Sequence, residues 1–405
     1  MHKRILQNIG PGTLITAAFI GPGTVTLCSL VGVLFGLNLL WAIGVSILAA
    51  IALQSMAVRL SIITGQGIVP LIQNGLIPKG IKIFFTGLIF GAILVGNTAY
   101  EAGNISGAVL GIETIFGNIP FVLGNTSVNL YSIGVGLIAG ILLWLGKYKL
   151  IERILIGMVV IMSGTFLITA ITTAPSFVEI VKGLFSFSYP KGSLLSIIGL
   201  VGTTIVPYNL FLHSALVREK WNSKSQLPNA LHDMRIAIGL GGIISISIII
   251  TAAGVQLNTI ENAADLAIGL EPLFGASAKY FLSFGLFSAG VTSTLTAPLA
   301  AAYVTCDCFQ WKANLSEKRF RLIGLFIILF GVVISASGLK LILIIQFAQI
   351  INGILLPLIA AILLWMINNS KLMGSYKNNN IQNIIGVGIL LITLFLSYRT
   401  LVFLF

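Results

Sequence analysis

The sequence predicts an all-α integral membrane protein of eleven transmembrane helices. They form a 5+5 inverted repeat, with helices 1 and 6 broken and one further helix added. Three observations predict it. The 405 residues are 57% hydrophobic and 8% charged, with a mean hydropathy of +1.04, whereas a soluble domain carries roughly 25% charged residues. Eleven apolar runs follow one another, each near the ~20 residues that cross a bilayer as a helix. Two of these runs, five apart, are interrupted by Gly21-Pro22-Gly23-Thr24 and Val206-Pro207-Tyr208-Asn209.

The first run, 11–36, follows the basic stretch MHKRILQNIGPG. A charged start before an apolar run resembles a signal peptide. No convincing small-residue cleavage site follows, however, and the run continues through the break, so it is read as a retained first helix. The second run, 38–64, carries a single charge, Arg59. The third, 82–108, contains Glu101, the one acid placed well inside a span. Runs 127–146 and 151–172 are separated by a short loop with Lys147 and Lys149, and the sixth, 193–217, holds the second break. The remaining runs are 233–255, 275–305, 320–338, 341–367 and 381–403. The connections are too short for a soluble domain, so residues 1–405 are one transmembrane domain, with repeats at about 8–175 and 190–368 and the extra helix at 381–403.

Proline has no N–H and clashes with the preceding turn, and glycine loosens the backbone. A helix broken in hydrocarbon frees polar groups that lipid cannot satisfy, so breaks survive only inside protein or along a cavity. A matched pair in the two halves points to a transporter's binding site. Because each span reverses direction, repeats of five spans are inverted. This is the plan of the amino acid–polyamine–cation superfamily.

With the N-terminus inside, 18 of the 23 Lys and Arg fall on the inner side and 5 outside. This predicts a cytoplasmic N-terminus and an external C-terminus in the cell (inner) membrane. The acidic loop of Glu261, Asp265 and Glu271 then faces out. The net charge of +12 therefore reflects orientation in the bilayer, not a nucleic-acid partner. Cys28, Cys306 and Cys308 lie in or at the ends of apolar runs. They suggest no disulfide framework, and Cys306-x-Cys308 is too close for the usual zinc pair. No GxxxxGK[ST] motif argues for an ATP-driven pump. No His/Asp/Glu cluster or nucleophile motif argues for an enzyme, and no cofactor is expected.

The stretch GTTIVPYNLFLHSALVREKW resembles the sixth helix of the Nramp (natural resistance-associated macrophage protein) divalent-metal transporters. That family has a Met-Pro-His-Asn core followed by Leu-x-Leu-His-Ser-Ala-Leu-Val. Here the core is Val206-Pro207-Tyr208-Asn209 and the tail runs Leu210-Phe211-Leu212-His213-Ser214-Ala215-Leu216-Val217. The first break stands where the family has Asp-Pro-Gly-Asn. Weaker similarity covers EAGNISGAVLGIETIFGNIP, SAGVTSTLTAPLAA and QFAQIINGILLP, so the resemblance spans nearly the whole chain. It implies a secondary transporter carrying a divalent cation, with proton symport.

The resemblance also implies a metal site. Its side-chain ligands fall at Gly21, Thr24, Val206 and Gln349, and its backbone carbonyl at Thr203. Only the glutamine is retained: the carboxylate is replaced by Gly21 and the thioether by Val206. Thr24, Thr203 and Gln349 remain as candidate metal contacts, in a neutral pocket completed by Tyr208 and Asn209. Such a pocket suits a hydrated ion or a solute of little charge. Soft transition metals favour sulfur, and hard cations favour carboxylates. The resemblance places Glu101 at an acidic position used in proton movement, Asn104 where the family has a second acid, and His213 on a family histidine. The alternatives are a hydrogen-bonded structural Glu101 and a His213 that packs helices. Thr204, Asn352, Ser293 and Thr294 are further polar candidates, each also able to close a backbone bond. Two other readings keep the fold: a transporter of a small organic solute such as an amino acid, and a non-transporting sensor.

Overall fold

Proline sets the element boundaries that matter. The computed structural model describes residues 20–74, 78–123, 126–146, 149–173, 175–221, 223–255, 257 and 260–405. The retained-helix reading of MHKRILQNIGPG and the first half of the run 11–36 lie outside the described residues. The longer helices are α1 (Pro22–Phe35), α2 (Leu40–Thr64), α3 (Lys79–Phe116), α4 (Leu130–Leu145), α5 (Lys149–Thr172), α6 (Leu194–Thr204), α7 (Pro207–Lys220), α8 (Leu227–Ala253), α9 (Ala278–Cys308), α10 (Lys318–Ser335), α11 (Leu341–Ile367) and α12 (Asn380–Leu404). Short helices at Ile68–Asn74, Phe177–Phe185, Ala263–Ala267, Glu271–Phe274 and Ser370–Met373 lie in the connections.

Among the described residues, eight helical stretches are long and apolar enough to cross a membrane: those of α2, α3, α5, the α6–α7 pair, α8, α9, α11 and α12. Helices α1 and α4 are apolar but shorter, at 14 and 16 residues. Helix α10 has 18 residues and begins with Lys318, Arg319 and Arg321.

Burial separates the centre from the lipid face. In the apolar window of α6 and α7, 89% of residues are buried, against 28% in α12. Helix α3 packs against α9, α10 and α11, α6 packs against α11, and α1 packs against α8. Small residues let these backbones approach, as is usual where lipid gives helices no hydrophobic reason to associate. A Cβ on Gly290 would lie 2.5 Å from the Ala108 backbone nitrogen, and one on Gly353 would lie 2.6 Å from the Ile198 carbonyl oxygen.

Three expectations need correction. Residues 22–24 and 207–209, expected to be non-helical, are the first turns of α1 and α7; the extended residues are Gly21 and Val206, just before them. The reason is that proline at the first helical position costs no hydrogen bond and has its φ already set. Residues 127–129, placed in the fourth run, belong instead to a strand, with β1 (Pro120–Leu123) antiparallel to β2 (Thr126–Asn129). Helix α4 starts only where Asn129 Oδ1 accepts from the Tyr131 and Ser132 amides. Finally, α3 runs 38 residues, well past the expected 82–108. At 1.5 Å per residue it is about 57 Å long, so its ends extend beyond the hydrocarbon.

Candidate functional site

The two breaks meet. Val206 is extended between α6 and α7, and Gly21 is extended before α1. Proline 207 has no N–H to return to the carbonyl four residues earlier, so the break leaves the Thr203 carbonyl without its helical partner. The Ile205 amide still reaches the Val201 carbonyl at 2.8 Å, which closes the last turn of α6. Thr24 Oγ1 and Thr203 Oγ1 are 2.9 Å apart across a sequence separation of 179. Gln349 of α11 lies on both breaks. A Cβ on Gly23 would be 2.1 Å from Gln349 Nε2, and one on Gly202 would be 1.9 Å from the Gln349 carbonyl oxygen.

Thr24, Thr203 and Gln349, predicted from separate stretches, are thus brought together, flanked by Gly21 and Val206 and by Tyr208 and Asn209 in the first turn of α7. All are buried. None of these side chains carries a formal charge. The local field comes from the backbone: the positive N-terminal ends of α1 and α7 and the negative C-terminal end of α6 converge here. Buried polar atoms in proteins are nearly always paired. Yet Gln349 Oε1, Asn209 Nδ2 and, one turn along α11, Asn352 Nδ2 have no hydrogen-bond partner. They remain available to a ligand or its hydration water.

Glu101 is fully buried on α3. Asn104 Nδ2 donates to its Oε2 at 3.3 Å, while Oε1 has no partner. Helix α10 faces Glu101 with Gly331, where a Cβ would be 2.6 Å from Glu101 Cγ. Among the described residues no Lys, Arg or His forms an ion pair with Glu101, so no cation neutralises it. The neighbouring Tyr100 ring packs edge-on against Tyr208, with centroids 5.2 Å apart, which joins this face of α3 to the second break.

His213 does not join Glu101. Its Nδ1 hydrogen-bonds Gln54 Oε1 of α2 at 2.8 Å. The hydroxyls of Thr204 and Thr294 bond back to the Leu200 and Gly290 carbonyls of their own helices, and Ser293 is buried in α9. Asn97 was missed by the sequence reading. It is buried on α3, and neither amide atom of its side chain has a partner. Its signal was present: Asn97, Tyr100, Glu101 and Asn104 have the i, i+3, i+4, i+7 spacing of a single polar helix face.

Known proteins match this arrangement along nearly its full length. The family described as "Natural resistance-associated macrophage protein-like" matches residues 12–403. The divalent metal cation transporter MntH of Staphylococcus haemolyticus is 26% identical, over 98% of this chain and 91% of that protein. MntH of Staphylococcus aureus is 25% identical, over 99% and 92%. Among solved structures, the Eremococcus coleocola manganese transporter superposes with a TM-score of 0.77 at 20% identity, covering 98% of this chain and 86% of that one. The more distant MhsT, solved with L-phenylalanine, gives 0.56 at 16% identity, covering 97% and 98%. Both likenesses speak to the fold. The family match, spanning almost every residue that builds the paired breaks and the helices around them, shows that this chain belongs to the Nramp family.

Proposed function

We propose that this integral membrane protein is a secondary transporter that carries a divalent cation through the pocket between its two helix breaks, with Glu101 as the proton-exchanging group. The observation that carries the reading is the meeting of both breaks with Gln349 on α11, which packs against the helix that carries the buried Glu101 carboxyl group, whose Oε1 has no partner. The MntH relatives are named as divalent metal cation transporters, and this supports the same cargo here. Thr24, Thr203, Asn209 and Gln349 offer only neutral oxygen and nitrogen atoms. An ion held by them keeps part of its water shell, and discrimination by ligand softness is lost.

Selectivity tests this directly. In proteoliposomes, magnesium and manganese are expected to compete for uptake within about tenfold of each other, because no sulfur or carboxylate ligand separates them. Gly21→Asp combined with Val206→Met supplies both missing donors and should shift the preference toward manganese. Tight, calorimetrically measured manganese binding to the unaltered pocket would contradict the account.

A second reading has its own support. Two helix N-termini converge on a pocket without a carboxylate, which is favourable for the carboxylate of an amino acid, and MhsT holds L-phenylalanine on a related fold. Amino-acid uptake without cation uptake in the same vesicles would select it.

We read the N-terminus as cytoplasmic in the cell membrane, from the 18-to-5 basic asymmetry, and the repeats as α1–α5 and α6–α11 with α12 added. Ser225 and Asn262 are both exposed, and the three native cysteines are buried. Single cysteines at these two positions should label from opposite sides of the membrane. Labelling from one side would overturn the topology.

A further inference from the structure

A second feature lies away from the breaks. Helices α4 and α10 pack closely: a Cβ on Gly136 would lie 2.0 Å from Val332 Cγ2, and one on Gly140 would lie 3.3 Å from Leu325 Cδ2. Above this glycine floor, Leu137, Trp144 and Leu329 help to line an almost wholly apolar open cleft of about 570 Å³. It follows α4 from Ile133 to Trp144, about 17 Å at 1.5 Å per residue. That is the scale of a lipid acyl chain, and the exposed walls, Leu137 and Leu329 among them, face the bilayer.

The two ends of the cleft differ. At the Trp144 end, the Arg321 guanidinium sits 5.4 Å from the Trp144 ring centroid, and its Nε donates to the Leu315 carbonyl at 2.6 Å. These contacts hold the group in place, yet no hydrogen bond uses its Nη atoms and no acid pairs with it among the described residues. Lys318 and Arg319 are exposed beside it, and the segment from Lys312 to Arg321 carries four basic residues against Glu317. A general inward bias of basic residues explains which side they occupy. It does not explain a fixed, unpaired guanidinium at the mouth of a chain-length apolar cleft. A planar fork with free donors matches a phosphate, and basic pockets between transmembrane helices recognise anionic headgroups.

We propose that the α4–α10 cleft is a binding site for an anionic phospholipid, with one acyl chain in the cleft and the headgroup phosphate on Arg321, supported by Lys318. The lipid lies in the leaflet on the basic side of the membrane. It covers a face that the protein's own helices leave open, independently of what the central pocket carries.

The test uses the full-length protein in detergent, with phosphatidylglycerol and phosphatidylcholine of identical chains and lipid retention read by native mass spectrometry. The wild type should retain one phosphatidylglycerol per chain in preference to phosphatidylcholine. Arg321→Gln should lower that retention about tenfold, the size of a lost charge-assisted hydrogen bond. Leu329→Trp, on an exposed wall and therefore harmless to folding, should block retention by filling the cleft. Equal retention of the two lipids by the wild type would overturn the proposal without reference to any variant. So would undiminished phosphatidylglycerol on either variant, or cysteine cross-linking through Leu137 that shows a second copy of the chain on this face.

Discussion

Glu101→Gln flattens the pH profile of uptake and weakens cation binding while leaving the protein folded. Glutamine has the size of glutamate and can still accept from Asn104, so the 3.3 Å contact and the fit against Gly331 survive. What disappears is titration. Glu101 is fully buried and lacks a cationic partner among the described residues, and ionisable groups that persist at such depth are usually functional. Charge is lost as well. An ionised carboxylate on this face attracts a divalent ion in the pocket, so its loss should weaken cation affinity. Flux of wild type and variant in matched liposomes over a pH series checks both effects. Superimposable pH profiles would make Glu101 structural and remove proton coupling from the account.

Gly202→Ala should abolish uptake and lower thermal stability. An alanine methyl there would lie 1.9 Å from the Gln349 carbonyl oxygen and 2.7 Å from the Gly353 nitrogen. Both are backbone atoms, so no side chain can swing away; α6 must move off α11. Overpacking typically costs about 1–3 kcal/mol, and the shift would also part Thr203 from Gln349. Gly239→Ala is the control. It makes the same change within α8, where a Cβ meets nothing within 4 Å, and should be neutral or mildly stabilising. If Gly202→Ala matches Gly239→Ala in melting temperature and uptake, the close α6–α11 contact is not what shapes the pocket.

Much of the architecture was legible because hydrophobic length is a strong signal in a bilayer. The run 341–367 coincides with α11, and 381–403 falls one residue short of α12 at each end. Proline was less decisive. Pro298 and Pro357 sit inside continuous helices, whereas Pro22 and Pro207 begin new ones. What marks the second pair as breaks, independently of the family resemblance, is the matched Pro/Gly interruption of two runs five apart. The hairpin at 120–129 was hidden because its strands are only four residues each and lack a sustained alternation. Within the site, Glu101 stood out as an acid in an apolar run. Gln349 was found only through the resemblance, and nothing local to either residue could have paired Thr24 with Thr203, 179 positions apart. Asn97 was visible as a heptad partner of Glu101 and Asn104 but is chemically unremarkable until burial shows its amide unpaired.

The central claim is that the neutral pocket at the two breaks carries the cation, and Gln349 meets both, with its side chain against Gly23 and its backbone carbonyl against Gly202. Its most direct test is saturable uptake of magnesium, manganese, calcium and iron into proteoliposomes by wild type and Gln349→Leu, with folding verified by melting temperature. The account predicts cation uptake by the wild type and a loss of about tenfold or more in the variant, as expected when a buried ligand oxygen is replaced by an apolar group. Undiminished cation uptake by a folded Gln349→Leu protein, or no cation uptake by the wild type, would contradict it.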